Sequence, residues 1–212
     1  MDYHQQQTTE RKKKLKSVRM RKYEVINRKK VEKLLRQLLV ELGENPDREG
    51  LVDTPRRMAE MYEEIFGGYR MNAGLNVSFS EETDAIIAKD IQFYSMCEHH
   101  MLPFYGKIHI AYIPSGRVFG ISKLARLVEK YSRRMQIQER LTKEIADEIM
   151  AMGVEGVLVI AEGEHLCMKM RGVRNSSLII TVTHRGVMEQ KEFREHVLPL
   201  IYSSKQEMHS IR

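Results

Sequence analysis

Between residues 85 and 183 the hydrophobic period of the sequence changes from two to about 3.6 and back to two, which leaves few folds open. Residues 85–94 (AIIAKDIQFY) and 105–113 (YGKIHIAYI) read as strands, the second closed by the turn Pro114-Ser115-Gly116. Leu124, Leu127, Val128 and Tyr131 then share one helical face, with Ser122 as the expected N-cap. Ile137, Leu141, Ile145 and Ile149 continue the helical period to Gly153, after a break expected near Met135. Strand patterns return at 156–162 (GVLVIAE) and 176–183 (SSLIITVT), and a short helix is expected around 191–201. Two hairpins with helices between and after them make an α+β domain.

The segment before this core reads as helical. Val31, Leu34, Leu35, Leu38 and Leu42 recur at helical spacing, and Gly43 is the expected stop. The stretch NPDREG is a loop, and Thr54-Pro55 reads as an N-cap and first helical position. Met58, Met61, Tyr62 and Ile65 give the second helix an apolar face that Gly67 and Gly68 end. The expected organisation is a basic, disordered arm at 1–26, a helical region at 27–84 and a catalytic region at 85–212.

Composition narrows the function classes. The net charge of +6 is concentrated between Arg11 and Lys33, where twelve Lys and Arg face only Glu24 and Glu32; that stretch carries +10 and the remainder −4. Such an arm could bind nucleic acid, but a run this polar is also what a solvated leader looks like, and nucleic acid is not the expected partner. No run approaches the roughly 20 apolar residues of a membrane span, and the N-terminus lacks the apolar stretch of a secretory signal. The chain is therefore read as cytoplasmic, without a membrane partner. Two cysteines, Cys97 and Cys167, are too few for a disulfide framework, leaving free thiols, metal ligands or catalytic groups.

Both cysteines lie in the two sharpest motifs, Cys97-Glu98-His99-His100 and His165-Leu166-Cys167. The C-x-x-H spacing of Cys97 and His100 lets one short turn offer sulfur and nitrogen to one ion. Cys167 could complete a set of two thiolates and an imidazole. Zinc accepts such ligands, and three protein ligands leave a fourth position for water, whose pKa then drops from ~15.7 to about 7. On spacing alone the two cysteines could equally be small buried apolar groups. His99 and His165, adjacent to the ligand candidates, suit proton transfer.

Two weaker constellations accompany them. Ser122-Lys123-Leu124-Ala125-Arg126 combines a helix N-terminus, a hydroxyl and two cations, a set that could hold phosphate or be an ordinary solvated face. Arg171 and Arg57 could add charge. Glu139 sits early in a helix, where the macrodipole alone favours a carboxylate. A carboxylate can also accept two parallel N–H donors, which guanine offers at N1–H and the 2-amino group and adenine does not.

Together these motifs resemble GTP cyclohydrolase I. The string CEHHMLPFYGKIHIAYIPSGRVFGISKLARLVEKYSRRMQIQERL, followed by HLCMKMRGV, carries the resemblance, which covers approximately residues 30–202. It implies Cys97, His100 and Cys167 as ligands of Zn2+, and His99 and His165 as catalytic histidines. It implies Glu139 as the guanine reader with Gln138 beside it, and Ser122, Lys123, Arg126 and Arg171 as triphosphate or ribose contacts. Arg57 is implied as a phosphate contact from another subunit. The family's reaction converts GTP to 7,8-dihydroneopterin triphosphate and formate, the first step toward tetrahydrofolate or tetrahydrobiopterin. Its fold is the tunnelling fold, an antiparallel sheet with helices on one side, assembled as a homodecamer with sites between subunits. The run NSSLIITVTHRGVM departs from the family pattern in being more apolar. Two other readings stand beside this one: a related tunnelling-fold enzyme for another purine or pterin, and a non-catalytic zinc module binding nucleic acid through the arm.

Overall fold

The structure, a computed structural model, describes residues 26–72 and 78–203; the basic arm lies almost wholly outside them. The chain divides into two compact units, Met1–Glu60 and Met61–Arg212.

In the first unit, helix α1 (Arg28–Glu41) begins where the Asn27 side chain accepts the Lys30 amide at 3.0 Å. It ends as expected at Gly43, whose φ of 83° suits a residue without Cβ. The amides of Gly43 and Glu44 return to the carbonyls of Val40 and Leu39, so the last carbonyls are satisfied. Of the apolar residues on α1 only Leu35 is buried; Leu34 and Leu38 are exposed, as is Leu42 just beyond its end. Helix α2 (Thr54–Ile65), which runs across the division at Glu60, starts at Thr54 itself, one residue earlier than expected. Arg57 donates to Asp53 at 3.2 Å within this segment.

The second unit is built on a five-stranded sheet of order β5-β2-β3-β6-β7. Its strands are β2 (Ile86–Cys97), β3 (Pro103–Ile113), β5 (Met135–Gln136), β6 (Gly156–His165) and β7 (Ile179–Gly186). All pairings are antiparallel except the short parallel contact of β5 with β2. A separate two-stranded ribbon joins β1 (Ser78–Ser80) to β4 (Arg117–Phe119). The first hairpin runs three residues further than its alternation suggests, to Cys97, because pairing continues to Met96↔Pro103 although Ser95 interrupts the apolar pattern. Helix α3 (Ile121–Ser132) is capped by Gly120 rather than by Ser122, and no side chain caps it. The expected break is β5, after which α4 (Gln138–Met150) begins.

Helices α3 and α4 cover one face of the sheet. Leu124, Leu127, Leu141 and Ile145 pack there against Ile108, Ile110 and Val159, all essentially inaccessible to solvent. The other face is not bare, contrary to the expectation of helices on one side only. Helix α6 (Lys191–Tyr202) lays Val197 and Ile201 over Ala111, Leu158 and Ile160. Strands β3 and β6 are therefore apolar on both faces along this stretch, which is why GVLVIA reads as a continuous run rather than an alternation. The apolar NSSLIITVT segment supplies the edge strand β7, whose Ile180 and Val182 are exposed.

Candidate metal centre and active site

The site forms where the β2–β3 turn meets the end of β6. Cys97 is the last residue of β2 and is buried. Its amide donates to the Leu102 carbonyl at 2.9 Å, and its carbonyl accepts from the Met101 amide at 2.8 Å. Met101 takes a φ of 52° to close this turn. The Glu98 amide reaches the Gln136 carbonyl of β5 at 3.1 Å, and the Glu98 carboxylate takes a fork of two bonds from Arg140 of α4, at 2.6 and 3.1 Å. That partner holds the Glu98 carboxyl below its usual range. The CEHH turn is thus fastened on two sides.

Register carries the second motif to the first. Phe104 of β3 lies opposite His165, the last residue of β6, and the short helix α5 (Leu166–Lys169) follows immediately. The ligating atoms of Cys97, His100 and Cys167 consequently lie within 4.8 Å of one another. Ligands around one tetrahedral zinc at about 2.0–2.3 Å stand roughly 3.5–3.8 Å apart, so a small inward closure would fit them to such an ion. The electrostatics agree. Burial first, and then the neighbouring Cys97 sulfur, push the Cys167 thiol up, while Arg171 opposes them. A cation beside Cys167 would favour its thiolate. The donor set therefore fits zinc.

The catalytic candidates differ in how firmly they are held. His99 is exposed, its Nδ1 3.9 Å from the Cys97 sulfur. His165 is half-buried, stacked on Phe104 with ring centroids 4.7 Å apart and planes 7° from parallel. Burial pushes its pKa down, and the charge of Glu139 opposes that. His165 Nε2 lies 2.9 Å from Gln138 Oε1. Gln138, expected beside Glu139 at the substrate, is 1% exposed and bonded into the sheet. Sequence reasoning missed this connection, although Gly163 inside a strand pattern signals a close approach.

Most of the remaining candidates are solvent-facing. Glu139 is exposed in the first turn of α4, and Arg171 is exposed beyond α5. Both are near enough to act electrostatically on His165 and Cys167 respectively. Ser122 and Arg126 are exposed and Lys123 is half-buried in the first turns of α3. Arg57 belongs to the first unit.

An α+β sheet whose end gathers two thiols and an imidazole beside a held histidine defines a protein that can hold one metal ion with a coordination position to spare. Comparison with known proteins identifies the group. The family model for GTP cyclohydrolase I matches residues 31–202. A GTP cyclohydrolase 1 from Clostridium perfringens is 52% identical over 183 residues, spanning 84% of this chain and 99% of that protein. One from Streptococcus pyogenes is 52% identical over 83% of this chain and 94% of its own length. One from Hyperthermus butylicus is 50% identical over 83% and 92%. The chain belongs to the GTP cyclohydrolase I family. Among the described residues no helix is long and apolar enough to cross a membrane.

Proposed function

We propose that this chain is a zinc-dependent GTP cyclohydrolase, converting GTP to 7,8-dihydroneopterin triphosphate and formate. The observation that carries the reading is the Cys97, His100 and Cys167 donor set within 4.8 Å, adjoining His165, in a chain of this family. Zinc held by these three residues would supply Lewis acidity and an activated water at neutral pH. The chain's own residues do the rest. His165 and His99 move protons at the imidazole ring of guanine, making C8 electrophilic and accepting the proton of the attacking water. Two waters add across C8 before it leaves as formate, and one is lost when the opened ribose closes on the freed amine.

Glu139 accepts from guanine N1–H and the 2-amino group. Ser122, Lys123, Arg126 and Arg171 hold the ribose and triphosphate, whose binding energy keeps the distant base in place. Arg57 completes the phosphate site from a neighbouring subunit. The catalytic region is assigned to residues 85–212, preceded by a helical region at 27–84 and a basic arm at 1–26.

Sites shared between chains imply an assembly, for which we propose the tunnelling-fold decamer. The support is apolar surface that a single chain leaves open: Leu34 and Leu38 on α1, and Ile180 and Val182 on the edge strand β7. An unpaired, apolar edge is otherwise an aggregation hazard. The test incubates zinc-loaded protein with GTP and follows formate release and the fluorescent pterin that appears on oxidation. Both products should form in equal amounts; neither appearing, with zinc bound, would overturn the proposal.

A further inference from the structure

Gln138 has a hydrogen-bonding arrangement that fixes more than its own position. It is the first residue of α4 and is 1% exposed. Its Nε2 donates to the Ala161 carbonyl of β6 at 3.0 Å and to the Ile179 carbonyl of β7 at 2.9 Å, with Thr181 Oγ1 also at 3.0 Å. Carbonyl oxygens only accept, so the amide cannot be turned round without setting its own oxygen against them. The amide oxygen is thereby committed to the other side, 2.9 Å from His165 Nε2.

We infer that Gln138 is a positioning residue that sets the tautomer and ring orientation of His165 and does not itself touch substrate. An amide oxygen is only an acceptor, so His165 Nε2 carries the hydrogen of that bond. A neutral imidazole has one N–H, which leaves Nδ1 as the ring nitrogen available to substrate. Phe104 fixes the plane of the ring by stacking, and Gln138 fixes its rotation within that plane. Gly163 makes the bond possible. A Cβ there would overlap Gln138 Oε1 and approach His165 Nε2 to 3.6 Å. The strand therefore has no side chain at the one place where α4 reaches across to the histidine. Three elements, α4, β6 and β7, converge on this single amide, so the histidine is referenced to the sheet rather than to its own short loop.

This inference rests on the proposed reading of His165 as a proton-transfer group, and its test separates the two. The direct measurement is nitrogen-15 NMR of the zinc-loaded protein labelled at histidine, with the His165 signals assigned by their loss in His165→Ala. They should show the Nε2–H tautomer. The Nδ1–H tautomer in the native protein would overturn the inference whatever the activity. In Gln138→Met, which keeps length but removes the acceptor, the His165 signals should become a mixture of tautomers. The kcat for GTP should fall about ten- to a hundredfold, with KM within roughly twofold and zinc content unchanged. Gly163→Ala displaces the same oxygen without altering Gln138 and should give the same kcat-selective loss. Should Gln138→Met fail to fold, Gly163→Ala and the native spectrum still decide. A raised KM with kcat retained would make Gln138 a substrate contact, and kcat and tautomer unchanged in both variants would likewise overturn the inference. A native protein that binds zinc and makes no pterin would defeat the proposed function while leaving the tautomer result to stand or fall alone.

Discussion

Replacing Glu139 with glutamine separates the proposed reading of the base from support of the fold. Glu139 is exposed in the first turn of α4, and its backbone carbonyl, not its carboxylate, takes the Thr142 hydroxyl at 3.1 Å. Its contribution to folding is then the interaction of a charge with the helix N-terminus, about 0.3–1 kcal/mol. Glutamine offers one acceptor and one donor where guanine presents two donors, so an amide N–H would face a guanine N–H. Leaving such a donor unpaired costs about 1–3 kcal/mol, or roughly five- to 150-fold in kcat/KM at 1.36 kcal/mol per decade. The substitution also removes the charge that Glu139 exerts on His165, which could lower turnover without any change in base reading. Inosine triphosphate resolves the two effects: it keeps N1–H and lacks the 2-amino group, yet meets the same altered His165. Steady-state kinetics with both nucleotides should show a larger loss for GTP than for inosine triphosphate, with zinc content and melting temperature near those of the native protein. An equal loss for both, or no loss, would refute the assignment of Glu139 as the reader of the 2-amino group.

Three further outcomes are expected. Cys167→Ser should remove most of a zinc content of about one per chain as measured by metal analysis; full retention would contradict the ligand set. Mixing Arg57→Ala chains with His165→Ala chains, each inactive alone, should restore part of the activity if sites are shared between subunits, and no recovery in verified mixed assemblies would count against sharing. His109 is buried where its ring accepts the Asp90 amide, and burial holds its pKa below the ordinary value. The carboxylates of Glu162 and Asp90 oppose that shift, and Lys107 and Lys89 reinforce it. The unfolded chain then binds the proton more readily, so stability present above about pH 6.5 is lost as pH falls toward the folded pKa. His109→Gln should flatten the dependence of urea midpoints on pH between about 7 and 5, and an undiminished slope would exclude His109 as its source.

Much of the secondary structure was legible because burial on one face imposes a period that local sequence must obey. Leu124, Leu127 and Val128 marked α3, and Leu141, Ile145 and Ile149 marked α4; all six are buried. Boundaries were less legible. Strand β2 extends to Cys97 because its partner β3 is there to bond it, and Gly120 precedes α3 where Ser122 was the better intrinsic cap. The place of α6 on the opposite face could not be read at all. Residues such as Ala111 and Ile160 look the same in sequence whichever element covers them.

The sequence by itself determined the chemistry available. Its only two cysteines stand in motifs with three histidines, and their donor types suit a soft or borderline metal ion such as zinc. A short turn also determined that Cys97 and His100 are neighbours, since three residues cannot separate them far. Cys167 is 70 residues from Cys97, and only the β3–β6 register, with Phe104 opposite His165, brings it within reach. Tertiary structure likewise decided where Gln138 points. Beside Glu139 in sequence, it differs by about 100° around the helix axis, so one side chain enters the sheet and the other meets solvent. Adjacency along the chain reports composition, whereas function at this site depends on direction, and direction is set by what the helix packs against.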